Sequence, residues 1–217
     1  MSKNNCYIVG AGTNYGLDFT VAVGDFVIAA DGGFDHLHKQ GITPDLSIGD
    51  FDSIAGKPTQ GNIIALDKVK DHTDTFEAIQ KGISLGYESF HIYCGTGGRF
   101  DHTFANIQAL GFLSRNNKRG YLVGQDYVVT AITNSGIVFE PGCRGFISVF
   151  AYSDKATGVC IKGLKYELDD HCLTNTFPIG VSNEFTGVGS VISVENGTLA
   201  IIFPRECIAG VKSLDGL

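Results

Sequence analysis

Up to about residue 125, short apolar runs alternate with longer segments of mixed character. This alternation is typical of strands separated by helices, and it predicts a mostly parallel, Rossmann-like sheet in an α/β domain covered on both faces. We expect helices at about 74–85 and 101–115, the second with Phe104, Ile107 and Gly111 on one face. The expected strands are 7–9, 26–30, 46–48, 63–66, 90–94 and 121–123.

The pattern changes after Asp126, where short strands recur with turn signals between them and nothing has the pattern of a long helix. The pattern of this half of the chain predicts an all-β sandwich or barrel. We therefore divide the chain into an α/β domain at 1–133 and a β-sandwich domain at 134–217. Asn196-Gly197 lies between two β-branched runs and predicts a β-hairpin.

The composition limits the class of protein. Hydrophobic residues make up 43% and charged residues 18%, which provides enough apolar material for a packed core. The net charge of −7 argues against a nucleic-acid partner, which requires a basic surface. No apolar run approaches the ~20 residues that cross a bilayer, and the N-terminus has no signal-peptide pattern. These two features predict a soluble, cytoplasmic protein. The six scattered cysteines favour free, buried thiols in a reducing compartment.

The first of four candidate ligand-binding segments is Asp31-Gly32-Gly33, directly after the strand expected at 26–30. A carboxylate at the end of a strand, beside glycines, lets a ligand approach the backbone closely. Asp-Gly is also common in ordinary turns, and the segment by itself fits that alternative better.

The second segment places Asp50 and Asp52 on either side of Phe51, after the strand expected at 46–48. Two carboxylates so close together can converge on a hard cation, and their oxygen atoms suit Mg²⁺. A calcium loop is excluded because Gly61 occupies the twelfth position, where a bidentate Glu is required. A surface turn with solvated charges remains the alternative.

The third segment, Lys70-Asp71-His72-Thr73-Asp74-Thr75, opens the first expected helix. Asp71 or Thr73 can serve simply as the N-cap, and an acidic first turn suits the helix dipole. Two carboxylates, two threonines, a lysine and a histidine within six residues exceed what capping requires. The excess indicates a further role.

The fourth segment covers residues 95–102 and contains Gly97-Gly98, Arg99 and Asp101. A glycine-rich loop entering a helix offers N–H groups to an anion, and the planar guanidinium of Arg99 suits phosphate oxygens. The loop is neither a Walker A sequence nor a GxGxxG fingerprint. Asp101 can equally be an N-cap, and His102 an ordinary helix residue.

All four segments follow strands of the expected sheet, and ligands of parallel sheets bind at the carboxyl ends of the strands. Carboxylates gathered there would repel one another and any phosphate, so the cluster requires cations. This is the composition of a phosphoryl-transfer site, with Mg²⁺ between carboxylates and ATP, and with Arg99 and Lys70 neutralising the remaining charge. The aspartates concerned are Asp31, Asp50, Asp52, Asp74 and Asp101.

In their order along the chain, the four segments resemble the successive motifs of thiamine pyrophosphokinases. The resemblance includes Pro44-Asp45-Leu46 and Ala105-Asn106-Ile107. It continues into Gly163-Leu164-Lys165-Tyr166 and Ser182-Asn183-Glu184-Phe185, which resemble the thiamine-binding β domain of that family. The resemblance therefore covers nearly the whole chain, and the ordered set is far more specific than any single motif.

The resemblance implies a homodimer whose active sites lie between the catalytic domain of one subunit and the β domain of the other. The implied reaction transfers the pyrophosphoryl group of ATP to the hydroxyl of thiamine, giving thiamine diphosphate and AMP. The candidate catalytic residues are Asp74, Asp101 and Arg99, and the candidate Mg²⁺ ligands are Asp31, Asp50, Asp52 and Asp74. The candidate ATP-binding residues are Asp31, Gly32, Gly33, Lys70, Thr73, Gly97, Gly98, Arg99 and His102. The candidate thiamine-binding residues are Asp74, Asp101, Ser182 and Asn183.

Two choices stay open within this reaction. Either Asp74 or Asp101 can accept the proton of the thiamine hydroxyl. Either Tyr166 or Phe185 can contact the thiazolium cation, although such aromatics are more often core residues.

Two other functions fit part of the pattern. Asp50-Phe51-Asp52 matches the DxD motif of a metal-dependent nucleotide-sugar transferase, but that function leaves the loop around Arg99 unexplained. A non-enzymatic nucleotide or thiamine sensor on the same scaffold is the other alternative. No motif is visibly broken, which argues against the sensor.

Overall fold

The structure is a computed structural model that describes residues 5–51, 62–67 and 71–214. The chain divides into two compact units. The first comprises the chain up to Ala109 together with Gly120–Gly124. The second comprises the remainder. Within the described ranges, no helix combines the length and the apolar character needed to cross a bilayer.

The sheet of the first unit contains, in the described residues, β1 (Asn5–Val9), β2 (Phe26–Ala30), β3 (Leu46–Gly49), β4 (Asn62–Ala65), β5 (Ser89–Tyr93) and β6 (Arg119–Val123). Their order across the sheet is β6-β5-β1-β2-β3-β4. The pairs β1–β2, β1–β5, β2–β3 and β3–β4 are all parallel. The predicted strands and their mostly parallel arrangement are therefore confirmed, with ends that differ by one or two residues.

The centre of this sheet is apolar because parallel strands with helical connections are covered on both faces. Ile8, Ile28 and Ile92 lie on three neighbouring strands and are fully buried. This packing explains why the strands appear in the sequence as short continuous apolar runs rather than as alternating patterns.

In the part of the chain that the structure describes, three α-helices accompany these strands, namely α1 (Gly33–Lys39), α2 (Asp74–Ser84) and α3 (Phe100–Arg115). Helix α2 buries Ala78, Ile79 and Gly82. A Cβ on Gly82 would lie 2.5 Å from the ring of Phe90, so the missing side chain lets the helix approach β5. The predictions of α2 and α3 are confirmed, whereas α1 was not predicted.

The face of α3 that the sequence analysis singled out is not the main buried face. Phe104 is 55% exposed, although Gly111 on the same face is covered by the ring of Tyr152. The helix instead buries Ala109, Leu110 and Leu113. Phe104 and Gly111 share one side of the helix, but that side does not carry the core contacts along its whole length.

The second unit is rich in strands, as predicted. Its described strands are β7 (Tyr127–Thr133), β8 (Gly136–Phe139), β9 (Phe146–Ala151), β10 (Lys155–Lys162), β11 (Leu168–Thr174), β12 (Asn183–Glu184), β13 (Ser190–Ser193), β14 (Thr198–Pro204) and β15 (Val211–Leu214). Strands β12-β9-β14-β7 are neighbours in one sheet, and β11-β10-β13-β8-β15 form another. The ring of Phe139 on β8 contacts the ring of Phe203 on β14, with centroids 5.0 Å apart, so the core includes residues from both sheets.

The predicted hairpin at Asn196-Gly197 is wrong. Strand β13 pairs with β10 and β8, whereas β14 pairs with β7 and β9 in the other sheet. The backbone N–H of Gly197 donates to Asn134 Oδ1 at 2.8 Å, and Gly197 has a φ of +115°. The turn therefore connects two sheets, and the local sequence cannot reveal this because partner choice depends on distant strands.

All six cysteines are free thiols, as predicted. Burial is complete or nearly so for four of them, while Cys160 is half-buried and Cys172 is exposed.

Candidate functional site

A cavity of about 520 Å³ lies at the carboxyl ends of the strands of the first unit. The order of the strands reverses at this point: β2, β3 and β4 lie on one side of β1, and β5 and β6 lie on the other side. Open α/β sheets bind ligands at such a reversal of strand order. The cavity is lined by Ala11, Gly12, Thr13, Ala30, Asp31, Thr73, Asp74, Thr75, Cys94, Gly95, Gly97, Gly98, Arg99, His102 and Asn106.

Two loops, one after β1 and one after β5, are joined by backbone hydrogen bonds to form one wall of the cavity. The N–H of Gly12 donates to Cys94 O at 2.7 Å, and the N–H of Thr13 donates to Thr96 O at 3.0 Å. A Cβ on Gly12 would lie 2.5 Å from Cys94 O, so only glycine permits this approach. His36 Nε2 lies 3.0 Å from Gly12 O and must carry the proton, because a carbonyl oxygen only accepts.

The wall formed by Ala11, Gly12 and Thr13 was not predicted from the sequence. The signal was the pattern Gly10-Ala11-Gly12, which directly follows the apolar strand β1. Such glycines at a strand end indicate a close backbone approach.

Asp31 follows β2 in a left-handed backbone conformation, with a φ of +47°. Its N–H donates to Ile48 O at 2.9 Å, which holds the residue at the edge of the sheet. A Cβ on Gly33 would lie 1.8 Å from Val9 O, whereas one on Gly32 would lie 3.0 Å from the Cβ of Ala11. Neither glycine lines the cavity. Gly33 instead allows α1 to begin directly against the end of β1, and Gly32 lies against Ala11 in the loop that follows β1.

Left-handed backbone recurs at this edge of the sheet. Besides Asp31, Cys94 has a φ of +52° and Phe51 a φ of +55°, and each follows a strand of the same sheet. Non-glycine residues in this region are uncommon, and they cluster where a ligand site requires a particular backbone path. The strain at Asp31 and Cys94 falls on two residues that line the cavity.

Thr73 and Asp74 enter the cavity from the start of α2. Thr73 is the N-cap, since its Oγ1 accepts the backbone N–H of Phe76 at 3.2 Å, which decides between the two capping residues considered from the sequence. Asp74 is the first residue of the helix, is half-buried and lines the cavity. Its carboxylate therefore lies at the positive end of the helix dipole.

Gly97, Gly98, Arg99 and His102 also line the cavity, and they lie in the loop before α3 and in its first turn. Gly97 and Gly98 have φ values of +79° and +68°, which glycine adopts without strain. The amide of Asn106, in the second turn of α3, donates to Gly95 O at 2.7 Å and is buried. This bond fixes the glycine-rich loop to the helix.

Arg99 and Asp101 form an exposed ion pair through two hydrogen bonds. Arg99 Nη2 donates to Asp101 Oδ2 at 2.6 Å, and Nε donates to Oδ1 at 3.2 Å. Asp101 Oδ1 also accepts the N–H of His102 at 3.0 Å. The hydrogen bond from Arg99 lowers the pKa of Asp101, and the same contact raises the pKa of Arg99. Asp101 lies in the first turn of α3 and does not line the cavity.

The cavity therefore brings together seven of the predicted site residues, namely Asp31, Thr73, Asp74, Gly97, Gly98, Arg99 and His102. Asp50 is half-buried and is not among the lining residues. Asp52 and Lys70 lie outside the described residues.

The two candidate thiamine residues of the second unit differ in exposure. Ser182 is exposed, and its N–H donates to Ser148 Oγ at 3.1 Å. Asn183 is buried, and its amide is occupied within the protein: Oδ1 accepts the N–H groups of Tyr166 at 3.0 Å and Glu184 at 2.8 Å, and Nδ2 donates to Tyr166 O at 2.7 Å. Asn183 therefore fixes the backbone of two neighbouring segments.

The two candidate aromatic contacts in the second unit also differ in exposure. Phe185 is buried, and its ring packs against Phe139 with centroids 5.2 Å apart. Tyr166 is 61% exposed. Of the two, Tyr166 presents a surface that a ligand can reach.

The carboxylate oxygens of the cavity are of the type that Mg²⁺ prefers. Within residues 5–51, 62–67 and 71–214, no three carboxylate, imidazole or thiol side chains converge to form a metal site. Asp31 and Asp74 nevertheless both line the cavity. Mg²⁺ in nucleotide sites takes one or two carboxylates together with phosphate oxygens and water, so two carboxylates suffice.

Residues 20–122 match the sequence model described as thiamin pyrophosphokinase, catalytic domain. Residues 137–199 match the model described as thiamin pyrophosphokinase, vitamin B1 binding domain. The chain belongs to the thiamine pyrophosphokinase family. Membership explains why the four motif segments occur together and in this order.

Individual members of the family are similar over most of their length. The thiamine pyrophosphokinase of Bacillus subtilis is 26% identical over 182 residues, which cover 81% of this chain and 85% of the relative. The thiamin pyrophosphokinase 1 of Caenorhabditis elegans is 27% identical over 205 residues, covering 88% and 82%. The crystal structure of the family member from Geobacillus thermodenitrificans matches with a TM-score of 0.82 over 94% of this chain and 100% of that one, at 22% identity. This chain and the Geobacillus protein therefore share a fold.

Proposed function

We propose that the chain transfers the pyrophosphoryl group of ATP to the hydroxyl of thiamine, giving thiamine diphosphate and AMP. The observation that carries the proposal is that both family domains match in order, while the motif residues of the first domain converge on one cavity. We assign the α/β catalytic domain to residues 1–133 and the thiamine-binding β domain to 134–217. The Rossmann-like description of the first domain is part of this proposal and is supported by the reversal of strand order at the cavity.

ATP binds in the cavity of the first unit with its phosphates toward the starts of α2 and α3. The loop at Gly97-Gly98 allows close approach of phosphate oxygens, and helix N-termini favour negative charge. Arg99 supplies a planar, permanently charged donor to the phosphate chain, and His102 lies three residues later, in the first turn of α3. Asp31 and Thr73 also line the cavity in which ATP binds.

Asp31 and Asp74 are the described carboxylates that would hold Mg²⁺ together with the phosphates, and Asp50 and Asp52 are the further candidates from the sequence. When bound, Mg²⁺ would neutralise charge on the phosphate oxygens and so lower the barrier to attack by an alcohol. Such neutralisation would offset the repulsion between the phosphates and the carboxylates of Asp31 and Asp74 in the same cavity.

The reaction requires an alignment and one proton transfer. The oxygen of the thiamine hydroxyl forms a bond to the β-phosphorus of ATP, the bond from that phosphorus to the bridging oxygen breaks, and AMP leaves with the electron pair. We assign acceptance of the hydroxyl proton to Asp74, because it faces the cavity and Asp101 does not. Most of the rate enhancement then comes from positioning and from charge complementarity.

On the thiamine side, we assign direct contact to Ser182 and a supporting role to Asn183, whose amide is occupied by backbone groups. Tyr166 is the aromatic candidate for the thiazolium cation. We also propose that the protein is cytoplasmic and that it forms the homodimer, with active sites between subunits, that the family resemblance implies.

The proposal is tested by incubating the protein with ATP, Mg²⁺ and thiamine and separating the products. We expect AMP and thiamine diphosphate, and no AMP above a control without thiamine would contradict the proposal. Nucleotide sugars in place of ATP test the transferase alternative, and ATP binding without turnover would indicate a sensor. Neither alternative is favoured, because both domains match a family of thiamine pyrophosphokinases.

A further inference from the structure

Arg99 approaches the cavity with only one edge of its guanidinium group engaged by Asp101. The two bonds use the Nε–H and one N–H of Nη2. A guanidinium group has five N–H donors, so both N–H groups of Nη1 and the second N–H of Nη2 lie on other edges of the same plane. Those edges have the spacing that receives two oxygens of one phosphate group.

Arg99 and Asp101 differ in their position relative to the cavity. Arg99 lines the cavity, whereas Asp101 lies on the first turn of α3 outside the lining set. Both carboxylate oxygens of Asp101 are engaged, because Oδ2 accepts from Arg99 and Oδ1 accepts from both Arg99 and the N–H of His102. Asp101 is therefore hydrogen-bonded both to the arginine side chain and to the backbone of α3.

We propose that Asp101 is a positioning residue that acts through Arg99, holding one edge of the guanidinium group so that the other edges face the phosphates of ATP. The inference rests on the proposed function, and it replaces the expectations that Asp101 takes the hydroxyl proton or contacts thiamine. An arginine side chain has many rotamers in solution. A carboxylate that is hydrogen-bonded to the backbone restricts these rotamers before the nucleotide binds. The arginine side chain therefore loses less conformational entropy on binding.

If Asp101 were instead the proton acceptor, its removal would have a different effect on kcat. If its carboxylate accepted a proton from the substrate, its removal would lower kcat whether or not Arg99 were present. If it acts only through Arg99, its removal has no effect once the arginine is absent. A double-mutant cycle separates these cases, because it measures the energetic coupling between the two side chains.

The experiment measures the Kd of the ATP analogue with a methylene group between the α- and β-phosphorus, in the presence of Mg²⁺ and without thiamine, by calorimetry. The proteins are wild type, Arg99→Ala, Asp101→Ala and the double variant. We expect Arg99→Ala to weaken binding about tenfold or more, since it removes charge-assisted bonds to phosphate. Asp101→Ala should weaken binding about threefold to tenfold, since the arginine side chain must then be ordered when the nucleotide binds. Asp101→Ala added to Arg99→Ala should change the Kd by less than about twofold.

The Kd is also measured for three further variants. Asp101→Asn keeps an acceptor for one of the two N–H groups and should lie between wild type and Asp101→Ala. Glu140→Gln removes a carboxylate from a surface ion pair with Lys212 in the second unit and should leave the Kd unchanged. Lys212→Ala serves as the matching cation control. Circular dichroism checks that each variant is folded, which the exposure of Arg99 and Asp101 favours.

The inference is overturned if Asp101→Ala weakens analogue binding by the same factor with and without Arg99. It is also overturned if Asp101→Ala lowers kcat and leaves the KM for ATP and the Kd unchanged, as a proton acceptor would. Turnover of wild type with thiamine is measured in parallel. If wild type binds the analogue but makes no thiamine diphosphate, the proposed function fails while the binding cycle still decides the role of Asp101.

Discussion

Gly33 lies so close to Val9 that a Cβ on the glycine would stand 1.8 Å from the carbonyl oxygen of Val9. The contact joins the first residue of α1 to the end of β1, at the edge of the sheet where the cavity opens. Backbone atoms cannot yield as a flexible side chain can. The contact therefore fixes where α1 begins and, with it, the position of Asp31 two residues earlier.

Gly33→Ala is expected to destabilise the protein by about 3 kcal/mol or more, because an inserted methyl group must displace a central strand. The measurement is the free energy of unfolding in denaturant. Gly189→Ala is the matched control, since a Cβ there would meet its nearest neighbours at 3.7 Å, an ordinary contact distance. Equal stability of the two variants would show that α1 can shift without cost.

Thr73→Ala is expected to lower the free energy of unfolding by about 1 kcal/mol, because it removes the acceptor for the N–H of Phe76 at the start of α2. Thr73→Ser keeps the hydroxyl oxygen and should retain most of the stability. Thermal unfolding of the two variants distinguishes the cap from a simple loss of side-chain volume. If both variants lost the same stability, the hydrogen bond would not be the cause.

The carboxylates of the site should be needed for turnover but not for folding. Asp74→Asn is expected to lower kcat by about 10²-fold or more, since it removes the proposed proton acceptor and a metal ligand. Asp50→Asn and Asp52→Asn should also abolish turnover if they hold Mg²⁺. Unfolding temperatures should stay close to that of wild type. Near-normal activity of both Asp50→Asn and Asp52→Asn would remove these two residues from the metal site.

The contact between Arg99 and Asp101 should be visible in a pH titration. The hydrogen bond from Arg99 lowers the pKa of Asp101 below its ordinary value of 3.8, because it favours the charged carboxylate. The stabilising contact is therefore complete above 3.8 and is lost as the pH falls through the lower value in the folded protein. Carbon NMR of the Asp101 carboxylate measures this pKa.

Arg99→Ala should return the pKa of Asp101 toward 3.8, while Lys212→Ala should leave it unchanged because Lys212 pairs with Glu140 instead. An Asp101 that titrates at the same pH with and without Arg99 would contradict the contact.

The sheet of the first unit could be predicted from the sequence because each strand is a continuous apolar run between polar segments. Strands β2 and β5 illustrate this, since both are almost wholly buried. The same logic placed Asp31 and Arg99 at one edge, and the cavity contains both. Periodicity was less informative for α1, a seven-residue helix whose start depends on the contact of Gly33 with another strand.

The rest of the site depends on contacts between distant residues. The loop at Ala11–Thr13 lines the cavity because hydrogen bonds join it to the loop after β5, more than eighty positions later. The amide of Asn183 is polar in the sequence but is buried and satisfied in the structure. The turn at Asn196-Gly197 has hairpin chemistry, yet its flanking strands find partners in different sheets. None of these relationships is contained in the local pattern.

The most direct test of the central claim uses ATP labelled at the γ-phosphorus, together with Mg²⁺ and thiamine. If the pyrophosphoryl group is transferred intact, the label appears in thiamine diphosphate, and one AMP forms for each molecule of that product. Asp74→Asn serves as the control with an intact fold. Label recovered as free phosphate, or ADP formed in place of AMP, would contradict the account.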